Sequence, residues 1–440
     1  MTTLTPETLV QSRSLLRFAT AGSVDDGKST LVGRLLHDSK NVLVDQLEAV
    51  TKASADRGFG GLNGGLDLAL LTDGLRAERE QGITIDVAYR YFTTGERSFI
   101  LADCPGHVQY TRNMVTGSAT ADAVVVLIDA RKGILEQTRR HLSVVALLRV
   151  PNVIVAINKI DLVDYSEEVY RAIEADLAQL VTDLGLEHAH AIPVSALEGD
   201  NVVDRSEQTP WYTGPTLLHL LETIPSIDEI ENDLEPLRLP VQLVIRPQGA
   251  LDPRIENPAD FVDYRAYAGE IGSGVVRVGD EVEVFPGNFR TRVAGIDIAG
   301  RSVDSAFAPQ SINLRLDDEF DIARGSVIGH AGTLPEARNQ IEGELFWLDR
   351  RSASAGMRVL VKWGTATVQA IVQQVVGRRN LDTLEIDEAQ TLQVNDIGHA
   401  IIKFAQPLPV ESYRVNRRGG AFLIIDPHDG ATLAAGISTN

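Results

Sequence analysis

The octapeptide GSVDDGKS at residues 22–29 fits the pattern G-x-x-x-x-G-K-[ST] and lies between an apolar run, LLRFATAG, and a helix-like run, STLVGRLLHD. This placement constrains the fold more than any other feature, because a phosphate-cradling loop needs a strand on one side and a helix on the other. In such a loop the glycines let backbone N–H groups approach phosphate oxygens. Gly22, Ser23, Val24, Asp25, Asp26 and Gly27 would line the phosphates. Lys28 would neutralise the β and γ oxygens, Ser29 would offer its hydroxyl to Mg²⁺, and Thr30 would follow in the same turn.

The surrounding pattern agrees with that requirement. Between about Leu16 and Ile224, the runs LLRFATAG, SFILADCPG, AVVVLIDA, NVIVAINK and AHAIPVSA read as buried strands. The helix-like runs STLVGRLLHD, QYTRNMVTGSAT, EQTRRHLSVVALLR and SEEVYRAIEADLAQLVTDL alternate with them. This order predicts a parallel sheet with helices on both faces. The Gly-rich excursion at residues 57–80 interrupts it and reads as a switch region. After TIPSIDEIENDLEPLRLP the pattern turns to short alternating strands, including LPVQLVIRP, GVVRVGDEVEVFPG, MRVLVKWG and AFLIIDP. The expected fold is an α/β P-loop GTPase domain at 1–233, followed by two small all-β barrels at 234–334 and 335–440.

Three further motifs follow predicted strands and define the nucleotide. In DCPGH, Asp103 can reach Mg²⁺ through a coordinated water and Gly106 can present its N–H to the γ-phosphate, with Cys104 and Pro105 between them. In NKID, the Asp161 carboxylate can accept hydrogen bonds from the N1–H and amino group of guanine, a donor pair that adenine lacks. Asn158 would steady the neighbouring loops and the Lys159 stem would cover one face of the base. Ser195, Ala196 and Leu197 would complete the base pocket through the Ala196 backbone. The expected ligand is GTP with Mg²⁺.

Four residues refine the chemistry. Thr84, in EREQGITIDVAYRYF, is the candidate switch threonine for Mg²⁺. His107, directly after D-x-P-G, is placed to orient the attacking water. The β-branched Val24 occupies the position where an arginine finger would enter, so hydrolysis is expected to depend on repositioning His107. Asp25 is a candidate for holding a monovalent cation against the phosphates.

Composition narrows the setting. A chain of 440 residues with 44% hydrophobic residues can bury more than one core. No apolar run is long enough for a membrane span, and the single cysteine cannot form an internal disulfide, so a cytoplasmic location without membrane association is expected. A formal net charge of -20 disfavours a broad nucleic-acid footprint.

With these motifs, TRNMVTG and the trailing strands carrying GVVRVGDEVEV, the chain resembles the translation-factor GTPase superfamily. GSVDDGKSTLVGRLLHDS, EREQGITIDVAYRYF and DCPGHVQYTRNMVTGSATADAVVVLIDARKG are most similar to the large, GTP-hydrolysing subunits of bacterial ATP sulfurylase (sulfate adenylyltransferase subunit 1). The likeness covers nearly the whole chain. It implies a heterodimer or higher assembly in which a small ATP-binding subunit forms adenosine 5′-phosphosulfate and pyrophosphate from ATP and sulfate, with GTP hydrolysis coupled to that uphill reaction. The residues agree with such a division of labour, since neither an S-G-G-x-D-S loop nor a His-x-Gly-His pair occurs. Some members of this group carry a fused adenylylsulfate kinase, but no second phosphate-loop pattern occurs here, so kinase activity is not expected.

Two other readings remain at this level, an elongation-factor-like translation GTPase and a nucleotide-gated binding module. Arg414, Arg417 and Arg418 read as a solvated hairpin or a partner contact. His188 and His190 read as structural residues on one strand face, and Cys104 as a buried small residue.

Overall fold

The computed structural model describes residues 14–39, 50–51, 54, 67–71, 87–106, 111–186, 189–227, 235–247, 263–380, 383 and 385–440. Thr84, His107 and His188 lie outside the described residues, as does most of the Gly-rich excursion. The chain divides into two compact units, Met1–Ile227 with Leu381–Leu384, and Asp228–Asn380 with Glu385–Asn440.

The first unit is built on a 6-stranded sheet of β1 (Leu15–Gly22), β2 (Ala88–Thr93), β3 (Ser98–Asp103), β4 (Ala123–Asp129), β5 (Asn152–Asn158) and β6 (Ala189–Pro193). The spatial order is β2-β3-β1-β4-β5-β6, which places β1 and β4 at the centre. Strands β1, β3, β4, β5 and β6 pair in parallel, whereas β2 pairs antiparallel with β3. This edge strand is an addition to the expected parallel sheet. Its exposed Tyr89 and Tyr91 alternate with other residues instead of forming an apolar run, so β2 lacks the signature of a buried strand.

The helices with described bounds in this unit are α1 (Lys28–Asp38), α2 (Thr111–Ser118), α3 (Glu136–Leu147), α4 (Glu167–Leu184) and α5 (Leu217–Thr223). Local chemistry sets α4 clearly. The Ser166 hydroxyl accepts from the Val169 N–H, Glu167 and Glu168 occupy the positively polarised first turn, and Gly185 ends the helix at φ 65°. Every residue of β4 is buried because helices cover both faces of the sheet. Ala123, Val125 and Leu127 join Phe18, Leu31, Leu35, Phe99 and Leu221 in one core. Phe92 and Phe99 stack there at 4.7 Å, with Phe18 edge-on to both. Helix α5, which the sequence patterning does not reveal, is tied at its C-terminal end by the buried Arg97 guanidinium, which donates to the Leu221 and Ile224 carbonyls.

Among its described residues the second unit contains two large β-sheets with separate cores, one around Leu239, Tyr267, Val282 and Leu314, the other around Trp347, Val361, Ile402 and Ile424, besides two 2-stranded sheets. The run expected as one strand, LPVQLVIRP, splits into Arg238–Pro240 and Leu243–Ile245. These two pieces stand at opposite ends of the strand path, so the sheet closes through the bend at Val241 and Gln242. In the other sheet, pairing of Arg358–Trp363 with both Ala421–Ile425 and Ala366–Arg379 closes the barrel. No helix among the described residues is long and apolar enough to cross a membrane.

The ESYRVNRRGG segment, expected as a solvated hairpin or a partner contact, is not a hairpin, although Arg414 and Arg418 are exposed. It forms a one-turn helix, Arg417–Gly420, with the Asn416 side chain accepting from the Gly419 N–H at 2.7 Å. Arg418 donates to the Ile271 carbonyl of the first barrel at 3.2 Å, Arg417 lies over the Tyr413 ring, and Arg414 is exposed. A side chain at Gly420 would meet the Tyr413 backbone at 2.4 Å, so only glycine fits where the turn closes on Tyr413. Nearby, Arg238 spans the barrels, donating to both carboxylate oxygens of Glu411 at 2.9 and 3.2 Å and to the Thr333 carbonyl at 2.6 Å. Both partners are largely withdrawn from water. Removing one charge therefore strands the other, and Glu411→Ala is expected to lower stability by about 3 kcal/mol in urea-induced unfolding.

Candidate functional site

The four sequence motifs meet at the C-terminal ends of β1, β3, β5 and β6, the edge of an α/β sheet where ligands bind. Gly22 ends β1 and begins a loop whose Asp25 and Gly27 have φ values of 67° and 93°. Lys28, Ser29 and Thr30 form the first turn of α1. The Lys28 ammonium folds back into this loop, donating to the Gly22 and Ser23 carbonyls at 2.8 Å each. Burial pulls its pKa down, while the carboxylates of Asp103 and Asp26 act in the opposite sense.

Asp26 is itself buried, which pushes its carboxyl pKa up despite a hydrogen bond from the Ser23 N–H at 2.8 Å and the nearby Lys28 charge. Its Oδ1 and the Ser23 hydroxyl are buried with no hydrogen-bond partner among the described residues. Asp25 is exposed at the loop tip. Val24 is half-buried beside it.

Asp103 ends β3 and accepts from the Thr20 hydroxyl at 2.7 Å, both groups being buried. The following Cys104 and Pro105 are buried too; burial pushes the Cys104 thiol pKa up, and its sulfur packs against Gly117. Gly106 lies so close to the first loop that an added Cβ would sit 2.3 Å from Lys28 Nζ and 2.5 Å from the Gly22 oxygen. Only glycine fits between these loops.

At the base end, Asn158 links three segments. Its amide nitrogen donates to the Asp26 carbonyl at 2.7 Å, and its amide oxygen accepts from the Ala196 N–H at 2.9 Å. Lys159, at φ 62°, donates from Nζ to the Asp25 carbonyl. Asp161 sits half-buried on a one-turn 3₁₀ helix, Ile160–Val163. Ser195 and Ala196 are buried while Leu197 is half-exposed. The structure thus brings every described candidate residue to one edge of the sheet.

Two features were not legible in the motifs. Arg34, one turn beyond the phosphate loop on α1, donates from Nε to the Ala196 carbonyl at 3.2 Å and from Nη2 to the Leu197 carbonyl. It anchors the base loop to the phosphate-loop helix. On α3, the Gln137 amide nitrogen lies 3.3 Å from the Gly106 carbonyl and 3.1 Å from His141 Nε2. An amide nitrogen only donates, so His141 Nε2 accepts and its proton is on Nδ1. Burial, helped by the Lys28 charge, pulls the His141 pKa down to about 3 and keeps that ring neutral. A run of polar residues on a helix gives no sign of such contacts, because they depend on which loops lie opposite.

His190 is exposed on β6. Among the described residues, no group of three or more His, Cys, Asp or Glu side chains could hold a metal ion.

Residues 13–229 match the elongation factor Tu GTP binding domain and residues 340–439 the GTP-eEF1A C-terminal domain-like family. Sulfate adenylyltransferase subunit 1 of Alteromonas mediterranea is 45% identical over 97% of this chain and 87% of its own length. The chain belongs to the sulfate adenylyltransferase subunit 1 family. Another relative of that name, from Saccharophagus degradans, is 44% identical over 97% of this chain and 87% of its own. The bifunctional enzyme CysN/CysC of Rhodopirellula baltica is 45% identical over 97% of this chain, which spans 64% of that protein.

Family membership leaves Arg34 as a structural finding of this site. Its guanidinium holds two carbonyls of the base loop, so Arg34→Ala is expected to weaken GDP binding about tenfold, in keeping with one charged hydrogen bond. Titration calorimetry alongside thermal unfolding measures this, and an unchanged Kd removes the role.

Proposed function

We propose that this chain is the GTP-hydrolysing subunit of a heteromeric sulfate adenylyltransferase. Its partner would be a small ATP-binding subunit that forms adenosine 5′-phosphosulfate and pyrophosphate from ATP and sulfate. The observation that carries this reading is the 45% identity to a named sulfate adenylyltransferase subunit 1, spanning 97% of the chain. It favours sulfate activation over an elongation-factor role. A cytoplasmic setting, where both nucleotides are available, agrees with it.

The residues present fit a Mg²⁺–GTP ligand. The unpartnered Ser23 hydroxyl and Asp26 Oδ1 lie buried in the phosphate loop, and Gly106 leaves the space beside Lys28 clear of a side chain. Lys28 would exchange its loop carbonyls for the β and γ oxygens, while Gly22, Ser23, Val24, Asp25, Asp26 and Gly27 wrap the phosphates. Ser29 and Thr84 would hold Mg²⁺ directly, with Asp103 acting through a coordinated water and Thr30 supporting the turn. When bound, Mg²⁺ supplies charge neutralisation at the β and γ oxygens.

For the base, Asp161 accepts from guanine N1–H and the amino group, and Lys159 and Leu197 cover its faces. Ser195 and Ala196 close the pocket, steadied by Asn158. Cys104 and Pro105 serve only as the rigid spacer between Asp103 and Gly106. His107 orients the attacking water, and hydrolysis requires its repositioning because the Val24 side chain occupies the entry for an arginine finger.

Hydrolysis by the full chain, measured with and without the co-expressed small subunit in the presence of ATP and sulfate, tests this function. Hydrolysis that accelerates only with partner and substrates, together with accumulating adenosine 5′-phosphosulfate, supports it. Stimulation by ribosomes alone overturns it. Repeating the assay in K⁺ and Na⁺ tests a monovalent cation at Asp25, which equal rates would remove.

A further inference from the structure

Asp129, the last residue of β4, does not belong to any of the four motifs, yet its carboxylate is almost fully buried beside them. Three donors from Arg131 reach it. The backbone N–H and Nε of Arg131 each lie 3.0 Å from Oδ1, and Nη2 lies 2.7 Å from Oδ2. Lys159 Nζ lies 3.0 Å from the same Oδ2. That ammonium also donates to the Asp25 carbonyl at the tip of the phosphate loop.

These contacts form a line from solvent to the nucleotide loop. The Arg131 side chain is 46% exposed, Asp129 is buried behind it, Lys159 follows, and the Asp25 peptide ends the series. Although burial works to raise the Asp129 pKa, the hydrogen bonds from Arg131 and Lys159 outweigh it and keep the carboxyl well below the usual carboxylate range. The carboxylate is therefore charged whenever the protein is folded near neutral pH.

A lysine ammonium on a four-carbon stem has no preferred direction of its own. A buried, oriented carboxylate gives it one. Arg131, with its planar fork, holds that carboxylate so that Oδ2 faces Lys159. We infer that the Arg131–Asp129 pair positions Lys159, and that Arg131 is the exposed residue through which the strength of guanine-nucleotide binding is set. This rests on the reading of the site as a guanine-nucleotide site, in which Lys159 covers the base while joining the phosphate loop.

Asp129→Asn is the direct variant, but it strands two cations and can simply unfold the protein. Arg131→Gln changes an exposed side chain and avoids that. The test is release of N-methylanthraniloyl-GDP from the full chain, chased with excess unlabelled GDP. It compares the wild type with Arg131→Gln, Arg131→Lys, Lys159→Met and the Arg131→Gln/Lys159→Met double variant. Arg131→Gln is expected to speed release about fivefold, with no further acceleration in the Lys159→Met background, since contacts in one network are not additive. Arg131→Lys is expected to release as fast as Arg131→Gln, because an ammonium cannot make the paired contact.

An unchanged rate in Arg131→Gln, or the same acceleration in both backgrounds, overturns the positioning role. Full restoration by Arg131→Lys also overturns it, reducing the effect to net charge. A wild-type chain that fails to bind the labelled GDP overturns the functional reading, and this inference with it.

Discussion

The side chain of Asn158 joins parts of the chain that are far apart in sequence. Its amide nitrogen is bonded to the Asp26 carbonyl of the phosphate loop, and its amide oxygen takes the Ala196 N–H after β6. An amide is suited to this because one side chain both donates and accepts. It is buried, so losing either contact leaves an unsatisfied polar group away from water. The separation between the phosphate-binding and base-binding parts of the site is consequently set by a short hydrogen-bonded link. Gly27 permits it, since a Cβ there would sit 2.4 Å from the Asn158 amide nitrogen.

Around that link the protein buries several charged groups. Lys28, Asp26, Asp103 and Asp129 are all largely withdrawn from solvent. Each has specific partners: loop carbonyls for Lys28, the Ser23 amide for Asp26, the Thr20 hydroxyl for Asp103 and two cations for Asp129. Such groups are costly to bury unless hydrogen-bonded, so the site is stiff where it must meet phosphate and base. Asp103, Asp129 and the partners lie on or within two residues of the ends of β1, β3, β4 and β5, which makes the central sheet the scaffold that fixes the geometry. The second unit uses the same principle for a different purpose, with Arg238 and Glu411 joining its two barrels.

Much of this was readable from residue order. The apolar run at 123–129 is β4, and LLRFATAG is β1 from its first residue to its last. Both are buried central strands, where hydrophobicity is continuous and the pattern is strong. The pattern carries less where the environment is mixed. β2 carries no buried-strand signature because its outward residues include tyrosines and its inward face has only Phe92 as a large buried group. LPVQLVIRP reads as one strand because the bend that splits it in the closing barrel leaves no mark in hydropathy. The contacts of Arg417 with the Tyr413 ring and of Arg418 with the Ile271 carbonyl are not legible in the sequence, since arginine carries no record of the ring or carbonyl it meets.

The sequence by itself determined the loop chemistry and the order of the elements, because those depend on residue types a few positions apart. GSVDDGKS, DCPGH, NKID and SAL each carry their donors and acceptors within one turn of chain. Tertiary structure alone decided which distant side chains support them. Arg34 reaches the base loop, Gln137 holds the Gly106 carbonyl in company with a neutral His141, and Asp129 takes up Lys159. These contacts link residues brought together by the parallel crossing of strands and helices. Their energies depend on burial and on angles of approach, and neither exists until the sheet has formed.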